Sequence, residues 1–186
     1  MAKTDLTRRR AIRGQIETAI ELVLFEKDAA SAHVLTLAAS DVLRSLLKHA
    51  GKESLHVQVE RLFRPERMKD WITGRKLRYN FFKHADRDPE VESVAFDPES
   101  TDLELSAAIQ DYVTLYGGMS LPMAIFNAYL VTVYPSMFLE AYRESMGPAL
   151  DNLDIDSRSP RDAAARYLSV YLEGGFKDLK APLLEI

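Results

Sequence analysis

Ile12, Ile16, Ala19, Ile20 and Val23 recur at steps of three and four residues, the spacing of one apolar stripe on an α-helix. The pattern predicts a first helix from about Leu6 to Lys27. Asp28 followed by Ala29, Ala30 and Ser31 is a helix-opening signal, and Gly51 is suited to a left-handed stop, so a second helix is predicted between them. One side of it is dense in small residues such as Ala32, Ala39 and Ser40, which lets a neighbouring helix approach closely. The other side carries Leu35, Leu43, Leu46 and Leu47. These two helices are expected to form an antiparallel hairpin.

After a polar connection, Pro65 suits a first helical position and opens a basic segment that runs through Trp71 to about His84. Periodicity then lapses. From Asp86 to Thr101 the chain carries Pro89, Pro98 and many acids, which predicts one long acidic surface loop. Helices resume at about Leu103–Tyr116, Met123–Tyr134 and Ser136–Met146, with Pro135 kinking or dividing the last two. Ser159 and Pro160 form a cap and first-turn pair for a helix through Leu172, closed by Gly174 and Gly175. No stretch alternates with the period of a strand. The expected architecture is a single all-α domain over residues 1–186, a bundle of about six or seven helices.

One segment raises the question of a membrane. No charged residue occurs between Asp111 and Glu140. Pro122 and Pro135 bracket its helical part, leaving about a dozen residues, or roughly 18 Å, against a hydrocarbon core of roughly 30 Å. That is too short to span. Its apolar groups face every direction, which predicts a helix buried centrally or in a subunit interface. At the start of the chain Lys3, Arg8, Arg9, Arg10 and Arg13 imitate the opening of a secretion signal, but Glu17 and Glu21 interrupt the apolar face that follows. Neither a signal peptide nor a membrane partner is expected, and the expected location is cytoplasmic.

Composition narrows the chemistry. Lys and Arg total 24 against 28 Asp and Glu, a net charge of −4, so no global field draws the molecule to nucleic acid and DNA is not an expected partner. The absence of Cys excludes disulfides, a thiolate zinc site and a cysteine nucleophile, and leaves four His as the scarce resource. Charge is nevertheless segregated. From Arg61 to Lys83 eight basic residues face only Glu66 and Asp70; from Asp86 to Glu104 eight acids face only Arg87. Either the acidic loop folds over the basic helix or over a partner subunit, or the basic helix binds phosphates that the acidic loop gates or mimics. Trp71, Tyr79, Phe81 and Phe82 interleave with the cations and suit base stacking or core packing.

The stretch GRKLRYNFFKHADRD, Gly74 to Asp88, carries the most chemistry. Asn80 and His84 are four apart and share a helical face, with Lys76 a turn back on the same stripe. Arg78 is six residues from His84, which separates the two by about 120° on an ideal helix, so they converge only where the helix ends or bends. A metal-independent ribonuclease needs a base for the ribose 2′-hydroxyl, an acid for the leaving oxygen and a cation for the developing phosphorane charge. In that scheme His84 is base or acid, Arg78 the cation, and Asn80 or Lys83 an orienting donor. Arg75, Lys76 and Lys83 are the phosphate-binding candidates.

An arginine and a histidine with five residues between them, Arg78-Tyr79-Asn80-Phe81-Phe82-Lys83-His84, in an all-helical chain of this size resembles the HEPN superfamily. That resemblance implies a small helical bundle, commonly a homodimer pairing two such motifs across its interface, and RNA or a nucleotide as ligand. It implies catalytic roles for Arg78, Asn80 and His84. The stretches Ser31 to Ala39 and Asn80 to Asp86 are also similar to uncharacterised bacterial proteins, a likeness that implies no function.

Other constellations are weaker. His84, Asp86 and Asp88 alternate as metal ligands do, but three such ligands on one turn are geometrically awkward, and Asp88 before Pro89 is a turn former. A di-iron bundle needs a second partner for Glu53–His56, and none exists, so no metal and no cofactor is expected. His33, Ser40, Asp41 and Arg44 form a stripe suited to a polar pocket or to an interface, although a lone His among Ala and Leu is more often structural. Tyr112, Tyr116, Tyr129, Tyr134 and Tyr142 can line an apolar ligand pocket or pack at a core edge. No P-loop, nucleophile elbow or dinucleotide fingerprint occurs. Two functions therefore stand side by side: a HEPN-like module acting on RNA or nucleotide phosphates, and a non-catalytic dimeric scaffold or small-ligand binder.

Overall fold

The computed structural model describes residues 5–55, 57, 80–82, 89–135 and 158–175. They form an all-α bundle, with no strand among the described residues. Its principal helices are α1 (Arg8–Leu24), α2 (Ala29–His49), α3 (Glu99–Tyr116), α4 (Leu121–Val133) and α5 (Pro160–Leu172). The predicted helix Ser136–Met146 and most of the predicted basic helix from Pro65 lie outside the described residues.

The first helix is shorter than the apolar pattern implied, because its ends are set by backbone hydrogen bonds. Thr7 caps its start by accepting the Arg10 amide at 3.2 Å. At its end the Glu26 amide donates to the Val23 carbonyl and the Lys27 amide to the Leu22 carbonyl, the paired bonds that close a helix through a left-handed residue. That residue is Glu26, at φ 50°. The second and fifth helices close with the same bond pair around Gly51 and Gly174, both at positive φ, as the sequence suggested. Asp28 caps the second helix by accepting the Ser31 amide, and hydrogen bonding from the Ser31 hydroxyl and amide holds its carboxyl below the usual range. Ser159 precedes Pro160 but makes no side-chain cap; its backbone carbonyl accepts the Ala163 amide instead.

α1 and α2 form the predicted hairpin, and α3 lies along the other side of α2. Ala32, Thr36, Ala39 and Ser40 are buried between them, and the Thr36 hydroxyl is satisfied by the Ala32 carbonyl at 2.8 Å. α4 packs on α5, and α1 touches all four of the other helices. Its Ile12, Ile16, Ala19, Ile20 and Leu24 run through the core, joined by Leu43, Leu105, Ile109, Phe126 and Leu168 from the others. α4 is buried continuously from Pro122 to Val131, as its all-round apolar character predicted. No helix among the described residues is long and apolar enough to cross a membrane.

α3 begins at Glu99, four residues earlier than the sequence pattern placed it. Asp97 accepts the Glu99 amide at 3.1 Å, and Glu99 and Asp102 put negative charge on the first turn, where the helix dipole favours it. The acidic run is therefore divided: residues 89–98 are turn and irregular chain, whereas Asp102 and Glu104 are helical and buried.

Truncating Ile16 to Ala is expected to lower unfolding stability in urea by about 2–5 kcal/mol, because its site is closed on all sides. Gly14, exposed in mid-helix with open space where a Cβ would stand, behaves oppositely: Gly14→Ala is expected to raise stability by about 0.5–1 kcal/mol.

Candidate functional site

The segment after α2 is fixed to α3 at one end of the bundle. Lys52 Nζ donates to the Thr114 carbonyl, and the buried Asp111 carboxylate accepts the Leu55 amide, each at 2.6 Å. A carboxylate placed on a first-turn amide satisfies one of the donors that a helix start leaves open. At the opposite end, Asn80, Phe81 and Phe82 are helical and half-buried. The Phe82 ring meets Phe96 edge-on at 6.2 Å, and Phe96 meets the His33 ring edge-on at 5.3 Å. His33 is fully buried and its Nδ1 is 3.1 Å from the Thr101 hydroxyl.

Of the expected catalytic and phosphate-binding residues, Asn80 alone is described; Arg75, Lys76, Arg78, Lys83 and His84 lie outside the described residues, as do Asp86, Asp88 and His56. The proposed stripe on α2 divides. His33 and Ser40 are buried, whereas Asp41 pairs with Arg44 at 3.1 Å on a half-exposed edge. Of the tyrosines, Tyr112 and Tyr129 are core residues, and Tyr116 and Tyr134 pack against that core. Tyr142 lies outside the described residues.

A second polar cluster was not anticipated. The Tyr129 hydroxyl donates to Asp102 Oδ2 at 3.1 Å, Arg161 Nη2 donates to the same hydroxyl at 3.1 Å, and Arg161 Nη1 reaches Glu26 Oε1 at 2.8 Å. The guanidinium also lies 5.8 Å from the Tyr129 ring centre. Four elements thus meet: the turn after α1, the first turns of α3 and α5, and the middle of α4. Burial raises the Asp102 carboxyl to about 6, a rise that the Tyr129 hydrogen bond and the Arg161 charge oppose. Burial, with the neighbouring Asp102 charge, pushes the Tyr129 hydroxyl up to about 12. Burial disfavours the Arg161 charge, but the bonds to Tyr129 and Glu26 outweigh it and hold the guanidinium protonated. The signal for this cluster was present in the sequence: Asp102, Leu105, Ile109 and Tyr112 share one helical stripe, as do Arg161, Ala164 and Leu168. It is visible only once α3 is started at Glu99.

No family model, no curated protein and no solved structure matches this chain.

Because Asp102 is raised above its ordinary 3.8, the native state holds that proton more tightly than the unfolded chain does. Its contribution to stability is full below about pH 4 and is lost as the pH rises to about 6. Asp102→Asn is expected to remove this slope and to be more stable than the native protein above pH 6 by about 1–3 kcal/mol, measured by urea titration across pH.

Glu26 gives a second test. Glu26→Ala loses the Arg161 pair and keeps the left-handed strain, so about 1 kcal/mol of stability is expected to go. Glu26→Gly loses the same pair but relieves the strain, and is expected to lie within about 0.5 kcal/mol of the native protein in the same titration.

Proposed function

We propose that this chain is a helical module that engages the phosphates of RNA or of a nucleotide through Arg75, Lys76 and Lys83, with Arg78, Asn80 and His84 performing metal-independent cleavage. The observation that carries this reading is the aromatic staple at Phe82. With Phe82 turned onto Phe96, Asn80 lies about 200° round the helix from it, away from the staple. His84, four residues on, shares the helical spacing of Asn80. The excess of six positive charges between Arg61 and Lys83 supplies the local field that phosphate contacts need in an otherwise acidic chain.

In this reading a basic group takes the ribose 2′-proton, the freed oxygen attacks the adjacent phosphorus, and the bond to the 5′-oxygen breaks as that oxygen is protonated. His84 serves one of the two proton transfers, and the Arg78 guanidinium faces the charge that develops on phosphorus. A second reading, a non-catalytic dimeric scaffold, is favoured by one observation: His33 and Asp102, two residue types suited to acid–base work, are engaged in contacts between helices.

End-labelled single-stranded RNA with excess EDTA at low salt is expected to be cleaved by the native protein and left intact by His84→Ala and Arg78→Ala, each verified as folded by circular dichroism. Equal cleavage by all three comes from a contaminant and overturns the assignment. No cleavage, together with no salt-sensitive RNA binding, overturns it in favour of the scaffold.

A further inference from the structure

We draw no further inference here: the strongest candidate, the side-chain cluster of Asp102, Tyr129 and Arg161 where the first turns of α3 and α5 meet the middle of α4, belongs to the site already described and carries nothing beyond the proton linkage derived there.

Discussion

The apolar stripe of α1 is the constraint on which the other helices depend. A helix of 17 residues presents few core positions, and Ile12, Ile16, Ala19, Ile20 and Leu24 occupy them at two exposures only, 0% and 2%. Around that stripe α2 and α3 stand on one side as consecutive neighbours, while α4 and α5 pair with each other and touch it separately. Small residues on α2 permit close approach, and continuous burial of α4 closes the core. Because α1 meets every partner, an error in its register would be felt at each interface, and its two ends are accordingly fastened by a threonine cap and a closing turn.

Onto this apolar frame the molecule adds a polar connection at the end where α3 and α5 begin. The chain Asp102, Tyr129, Arg161 and Glu26 crosses from a buried carboxylate to an exposed one through a single hydroxyl and a single guanidinium. Burying Asp102 costs free energy that hydrophobic packing does not, and the Tyr129 hydroxyl and Arg161 charge offset only part of it, which is why its carboxyl remains raised. At the far end of the chain, Glu26 occupies a left-handed position that the equivalent turns give to Gly51 and Gly174. The residue that strains the turn is also the one that reaches Arg161. Strain and ion pair are thus joined in one side chain, an arrangement that glycine cannot provide.

The same end of the bundle holds the aromatic ladder from His33 through Phe96 to Phe82. It connects helical residues 80–82 to α2 and to the chain entering α3, while Asp111 and Lys52 do the corresponding work at the other end, where the chain leaves α2. The basic segment proposed to meet phosphates is therefore flanked by two anchorages of different chemistry, one aromatic and one of charged side chains hydrogen-bonded to backbone. His33, read from the sequence as more often structural than a pocket residue, belongs to the first of them.

Much of this architecture was legible from spacing. The hairpin of α1 and α2, the stop at Gly51, the buried uncharged α4 and the α5 segment bounded by Pro160 and Gly174 all follow from local rules: apolar period, cap chemistry and the left-handed tolerance of glycine. The start of α3 did not follow, because Thr101 and Asp102 look like loop residues until the partners that bury them are known. Nor did the closure of α1 on Glu26, a residue whose side chain gives no sign of positive φ. The candidate chemistry of Arg78, Asn80 and His84 was read from a motif, whereas Asp102, Tyr129 and Arg161 are 27 and 32 residues apart in consecutive steps and meet only in space. Periodicity records which face of a helix turns inward. Which inward-facing polar groups find one another is decided by the packing of separate helices, and that information is held in no single stretch of the chain.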